Sequence, residues 1–463
     1  MDILTTIKKL ATNKANQASV WKLITGNLYS AFDSLVQALT NYKIGKLDAK
    51  IAELSSLEGA ELPSNVKTII LDSIKNTASM VSSVETIGAS TFEDSSIVYL
   101  PTLEVAEENV TACCKNCSML MSVEPLDFSS VKYGKEMFYN CTHLKYVLIS
   151  DLSSLKTGAY AFSKCTSLTT ILFSDLSSLT DGSYMFSGCL NLEEFAISDL
   201  PALSAGSYMF SQCYSFSNLQ LSVPSLINGD GMFYGCSSLK SITLSGLSNL
   251  SNGGSMFRGC GVLANLTFDS FQSVKNANSM FYGCYNLASL DELYLPLISS
   301  ANFMFQSCSA LSSIVFKEGS FAVASSLLGI FYGCTKLKSI VGLRLSGLYL
   351  DYSTGVSESS YQQAVLLSLP SSLTDCELQG TLYRSGFTLT GCPNLSAASL
   401  FSWVAALYDW ETNSESKTTI DSDHTLYLTS EQLSTLEEYE GDGTMTGAEV
   451  IEQAISYGWN LSE

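Results

Sequence analysis

The stretch Ala161-Phe162-Ser163-Lys164-Cys165-Thr166-Ser167-Leu168-Thr169-Thr170-Ile171-Leu172-Phe173 decides the fold, because its pattern recurs along the chain. Cys117, Cys141, Cys165, Cys189 and Cys213 stand 24 residues apart. Cys236 follows at 23, Cys260, Cys284 and Cys308 at 24 each, and Cys334 at 26, so ten of the 14 cysteines mark one position of one repeat. Met-Phe or a near equivalent precedes each of the last nine, from Met137-Phe138 and Ala161-Phe162 to Met304-Phe305 and Ile330-Phe331. Leucine or phenylalanine stands three residues after the cysteine, as in Leu144, Leu168, Leu192, Phe216, Leu239 and Leu263. Apolar residues follow at six and eight (Val147/Ile149, Ile171/Phe173, Phe195/Ile197, Ile242/Leu244, Leu266/Phe268, Ile314/Phe316), and leucines near eleven and fourteen close the unit.

Alternation at six and eight is the mark of a short strand with one face buried. The remaining apolar positions must also face inward, so each repeat wraps as a coil around its own core. One coil cannot bury that core alone, and stacking closes it between neighbours. Each coil adds about 4.8 Å, so ten make a rod of roughly 50 Å. Serine, asparagine and glycine at the corners, as in Asp181-Gly182-Ser183 and Asn252-Gly253-Gly254, supply the turns.

Residues Ala161 to Ile171 resemble, position by position, the BspA-like (Treponema-type) leucine-rich repeat, Ala-Phe-x-x-Cys-x-x-Leu-x-x-Ile-x-Leu. The resemblance covers residues 95–350. It implies an α/β-solenoid, a leucine-rich-repeat stack of 23–26-residue coils, and a binding role like that of bacterial and protist surface adhesins or phage-borne proteins.

The chain has 463 residues, 46% hydrophobic and 15% charged, with 24 basic and 44 acidic side chains and a net charge of −20. Such a charge repels phosphate backbones and argues against nucleic acid as a partner. No run of 18 apolar residues occurs, so no membrane span is expected. The opening MDILTTIKKLATNKANQASVWK places lysines after its apolar residues, not the order of a secretory leader. The expectation is that an assembly carries the chain outside.

Nothing in the sequence assembles a catalytic, cofactor or metal site. The repeat cysteines form a ladder of small buried hydrophobes. Cys114 and Cys117 make one CxxC without a second pair at zinc spacing. Nucleophilic catalysis wants a base held beside its nucleophile, and the two histidines, His143 at an exposed corner and His424, give no Ser, Cys or Thr a plausible partner. Glu193 and Glu194 are neighbours on a repeat strand and face opposite sides. A carbohydrate-active enzyme using paired carboxylates is the third reading.

The candidate binding surface is the concave strip five and seven residues after each cysteine: Tyr146, Thr170, Glu194, Asn218, Gln220, Ser241, Thr243, Asn265 and Thr267. It is mostly small, polar and uncharged. Such a face either binds glycan or protein through shared hydrogen bonds, or is simply solvated.

Residues 1–84 lack the repeat and read as helices, with Leu23, Leu28, Phe32, Leu35 and Leu39 at helical spacing. Ile44, Leu47, Ile51 and Leu54 form a short coiled-coil seam, which serves either as a cap or for self-association. The solenoid is assigned to 85–350. Residues 351–463 read as an insertion and a small α+β cap, with a helix Ala397–Tyr408, a strand Thr425–Leu428, a helix near Gly447–Tyr457, and Trp403, Trp410 and Trp459 in its core. The expected function is non-enzymatic: a phage virion fibre or appendage protein engaging host surface glycan or protein, anchored by its N-terminal helices. The alternative is a bacterial cell-surface adhesin.

Overall fold

The computed structural model describes residues 84–344, 369–379, 387–407 and 424–462, apart from positions 85, 101–102, 106, 173–174, 194, 291, 325 and 442. The expected N-terminal helices, the Ile44–Leu54 seam and Trp410 lie outside the described residues. The chain divides into two compact units, Met1–Glu85 with Ser96–Thr102, and Thr86–Ser95 with Leu103–Glu463. Strand β1 (Tyr99–Leu100) belongs to the first.

The second unit carries the repeats. Its strands β2 (Ser122–Asp127), β3 (Tyr146–Asp151) and β4 (Thr170–Leu172) pair in parallel. So do β5 (Asn218–Ser222), β6 (Ser241–Ser245) and β7 (Asn265–Phe268), then β8 (Ser313–Val315), β9 (Ser339–Arg344) and β10 (Asp375–Gln379). Successive strands advance by one repeat, with Asn218 beside Ser241 and Ser241 beside Asn265. A second ladder of single bridges runs from Asn109 through Tyr133, Thr157, Asp181, Ala205, Asn228, Asn252 and Asn276 to Ser300 and Ser326. The coil from Cys189 to Cys213 forms no named strand, and Phe195 and Ile197 are half-buried there rather than buried as their spacing predicts. Phe195 instead meets Phe186 and Phe210 edge-on, with centroids 5.5 and 5.0 Å away.

The Met-Phe pairs and repeat cysteines form the core. Phe138, Phe162, Phe186, Phe210, Phe233, Phe257, Phe281, Phe305 and Phe331 make one continuous column of stacked rings, with centroids 5.4–5.8 Å apart. Truncating such a ring to alanine typically costs about 3–5 kcal/mol. Beside this column the repeat thiols from Cys165 to Cys334 each donate to a phenylalanine carbonyl of the preceding coil: Cys165 to Phe138 at 3.1 Å, Cys189 to Phe162 at 3.1 Å, Cys260 to Phe233 at 3.2 Å, Cys334 to Phe305 at 3.0 Å. The same carbonyls accept the backbone N–H of the cysteine in their own coil. Both lone pairs of a buried carbonyl are thereby used.

The outer part of each coil departs from the expected α/β-solenoid. Among the described residues from Thr86 to Arg344 there is no α-helix, and the one helical turn is the 3₁₀ segment Leu247–Asn249. The Met-Phe segment is a run of tight turns, because two positions per coil take positive φ. One lies five residues before the cysteine (Tyr160 59°, Tyr184 57°, Tyr208 53°, Gly231 58°) and one directly before it (Lys164 62°, Gly188 75°, Gln212 59°, Gly235 72°). A left-handed residue ends a right-handed helix. Backbone accounting fits turns as well. Phe138 N–H donates to Ala161 of the next coil, and Tyr139 N–H returns to Glu136 in its own. Alternate N–H groups thus bind between coils and within them, leaving the buried turn satisfied.

The α+β cap is present. Strands β11 (Phe387–Thr388), β12 (His424–Tyr427) and β13 (Trp459–Ser462) form a parallel sheet. Helix α1 (Ala397–Ala405) ends three residues before the predicted Tyr408, and α3 (Gly447–Ser456) matches the prediction to within one residue. Helix α2 (Ser430–Glu437) was not expected from the sequence. Trp403 is buried and its indole N–H donates to the Cys376 carbonyl at 2.9 Å, while Trp459 is also buried.

All 14 cysteines are buried free thiols. Burial pushes Cys165, Cys236 and Cys334 up to about 12, far above where a thiol ionises at neutral pH. A thiol reagent at pH 7 is therefore expected to label few cysteines in the native protein and nearly all after denaturation without reductant. Protection that persists in denaturant would mean disulfides and defeat this reading.

Candidate binding surface

Strand pleating sends alternate side chains inward and outward. In β5, Asn218 and Gln220 are exposed around buried Leu219. In β6, Ser241 is half-exposed and Thr243 exposed, and in β7 Asn265 and Thr267 are exposed. Register places Asn218, Ser241 and Asn265 in one row, and Gln220, Thr243 and Thr267 in the next. The Ser241 hydroxyl donates to Asn218 Oδ1, so the first row is internally hydrogen-bonded. Six of the nine predicted residues therefore share one three-stranded sheet. Tyr146 and Thr170 are paired on the β3–β4 sheet, where Thr170 is half-exposed. Glu194 lies outside the described residues. Towards β9 the same face turns apolar, with Val315 and Val341 paired and 37% and 48% exposed.

The sequence reading missed a second surface, on the turn side. Tyr160, Tyr184 and Tyr208 stack five residues before successive cysteines, with centroids 4.6 and 5.0 Å apart and rings within 9° of parallel. Their recurrence every 24 residues was a visible signal, hidden because tyrosine is absent from that place in other coils. Tyr208 lies over the next coil's Gly231, where a Cβ would collide with the ring. Half-buried Asp230 accepts a hydrogen bond from Tyr208, yet burial outweighs it and raises the carboxyl above its ordinary range. Burial is also the main cause raising the phenols of Tyr184 and Tyr208.

His143 is an exposed corner residue, its Nδ1 2.6 Å from the Ser118 carbonyl. The Cys117 thiol of the CxxC donates to the Phe92 carbonyl at 2.9 Å, as its repeat position requires. Among the described residues no group of three or more histidine, cysteine or acidic side chains is arranged to hold a metal ion. Nor is any helix among them long and apolar enough to cross a membrane.

Parallel strands advancing one coil at a time, a phenylalanine column and a thiol ladder define a leucine-rich-repeat solenoid, a class of protein that works through its surfaces. The BspA type leucine rich repeat region matches in 6 copies over residues 46–169, 132–253 and 229–344, and the chain belongs to that family. Among solved structures the chain is similar to a leucine-rich repeat protein from Bacteroides ovatus, at 20% identity over 65% of this chain and 80% of that one, TM-score 0.38. It is also similar to the leucine rich repeat protein of T. pallidum (23% identity, 41% and 72% covered, TM-score 0.24). A third is a leucine rich cell surface protein from Faecalibacterium prausnitzii (17% identity, 79% and 83% covered, TM-score 0.28). No curated protein matches the chain.

Because burial raises Asp230, its charged form destabilises the fold once pH exceeds the ordinary aspartate range. That loss grows as pH rises through the elevated native value. Asp230→Asn, which keeps an acceptor for Tyr208, should raise the melting temperature at pH 7 and lose the advantage at pH 3. An equal effect at both pH values would contradict the burial argument.

Proposed function

We propose that the chain is a non-enzymatic binding protein of the cell-surface adhesin kind, engaging glycan or protein along the strand face of its solenoid. The observation that carries this reading is the pair of aligned rows, Asn218-Ser241-Asn265 and Gln220-Thr243-Thr267. Each row repeats one hydrogen-bonding group per coil, at a spacing of about 4.8 Å, on strands fixed by their own ladder. Amides and hydroxyls donate and accept without titrating, so they suit an uncharged, repeating ligand. Among these six described residues there is no carboxylate pair or activated nucleophile of the kind hydrolysis requires.

Family membership supports display on a bacterial cell surface over a place in a virion. The virion reading, with assembly through residues 1–84, draws its support from sequence pattern alone. Gold-labelled antibody against the full chain separates the two: label on intact cells is expected, whereas label confined to purified phage particles would restore the fibre reading.

For the binding face, the double substitution Asn218→Ala and Asn265→Ala removes two amides from one row. On a glycan array, binding should fall by about tenfold, the loss of one or two net hydrogen bonds. Full retention of every array signal would remove the strand face as the site.

A further inference from the structure

Arg258 is one of three arginines among the 24 basic residues of this acidic chain. It occupies the position two residues before Cys260, and tyrosines hold that position in the coils on either side. Its guanidinium lies 4.5 Å from the ring centroid of Tyr282 and 6.0 Å from that of Tyr234. Cation–π attraction to two rings fixes a planar group whose donors point along its edge. Arg258 forms no salt bridge with a carboxylate among the described residues. A held guanidinium without a carboxylate is an open bidentate donor site for one.

The neighbourhood supplies a second element. Tyr285 is 54% exposed. A Cβ built on Gly261 would sit 3.2 Å from its Cδ2 atom, so the ring packs beside that glycine while more than half of the residue stays exposed. The Tyr285 hydroxyl reaches towards Gly283, which stacks against Gly259, the residue next to Arg258. The exposed ring and the guanidinium therefore belong to adjacent coils, joined through the Gly259–Gly283 approach, and position 259 carries no side chain beside Arg258.

The surrounding charge favours an anion here. In the rows five and two residues before the cysteines from Cys141 to Cys334, Glu136 and Arg258 are the charged members, and seven of the 18 residues are tyrosine. These two rows are close to neutral in a chain of net charge −20, and half-buried Asp230, one coil back, adds a single carboxylate to this side.

We propose that Arg258, held by Tyr234 and Tyr282, binds the carboxylate of an acidic pyranose whose C–H face stacks on the exposed ring of Tyr285. In a uronic or sialic acid the carboxylate is fixed to the sugar ring. One residue of an acidic glycan therefore meets the guanidinium and the aromatic face together. A peptide carboxylate on a flexible stem gains nothing from that ring. The site lies on the turn side and is independent of the strand-face rows.

Calorimetric titration of the full chain with trigalacturonate and with sialyllactose tests this. At least one is expected to bind. Arg258→Ala should weaken binding by about tenfold or more, as loss of a charge-assisted hydrogen bond does. Arg258→Lys should fail to restore it, Tyr285→Ala should weaken it, and the Asn218→Ala, Asn265→Ala protein should bind as the parent does. Methyl esterification of trigalacturonate should abolish its binding. Unchanged melting temperatures in the variants separate ligand loss from unfolding. Binding of neither sugar, or binding indifferent to Arg258, overturns the inference, and so does tighter binding of a glutamate-rich peptide, which would mark an acidic protein partner. Loss in the asparagine variant with retention in Arg258→Ala would overturn it while leaving the strand-face reading intact.

Discussion

The structure depends on closing one coil against the next without leaving a buried polar group unpaired. From Phe138 to Phe305, the phenylalanine carbonyl beside each repeat cysteine meets this demand twice, from the cysteine N–H of its own coil and from the thiol of the following one. Alanine in that place would leave the second lone pair empty. Serine would donate more strongly, but its hydroxyl is costlier to bury. Cysteine is small, apolar and still a donor, which accounts for its recurrence without metal or disulfide chemistry. The adjacent phenylalanine column adds apolar burial at each step, so both ladders enforce the same advance per coil.

That shared advance fixes the exterior. When interior positions repeat in register, exterior positions must do so too, and every outward residue becomes a member of a row. The strand rows from Asn218 and Gln220, the tyrosine stack from Tyr160 to Tyr208 and the tyrosine–arginine row at Arg258 are all products of one geometry. The cost is strain. Non-glycine residues such as Tyr160, Tyr184 and Lys164 sit at positive φ, which disfavours an L-residue by roughly 1–2 kcal/mol each. Interior packing holds them there, and the tyrosines at 160, 184 and 208 recover part of the cost by stacking.

Legibility in the sequence followed from whether a feature was written in spacing or in backbone sign. Cysteine spacing and the alternation around Ile242 and Leu244 are spacing, and they gave the coils, the core and the outward strand positions. The α/β expectation failed because Met-Phe-x-x-Cys places apolar residues three and four apart, which suits a helix and a run of tight turns equally. Only φ distinguishes them, and Tyr160 carries no letter-level sign of it. Helix α2 was overlooked for a different reason. Its apolar face is short, yet the Thr429–Gln432 capping box that starts it was present in the letters. On the turn side, Arg258 and Tyr285 are 27 residues apart and come onto adjacent coils only once the chain stacks, so no linear motif could have joined them.

The two surfaces divide chemistry in a way that net charge alone hides. A total of −20 disfavours an anionic ligand at long range, yet screening limits each exposed charge to about 8 Å at physiological ionic strength. Local composition therefore decides, and the turn rows around Arg258 carry almost no acid. Polar groups that cannot titrate face outward from the strands, while the guanidinium and tyrosine rings gather on the turn side. A ligand with both neutral and acidic sugar units could then engage both faces of one solenoid, each through groups that the interior ladder keeps in register.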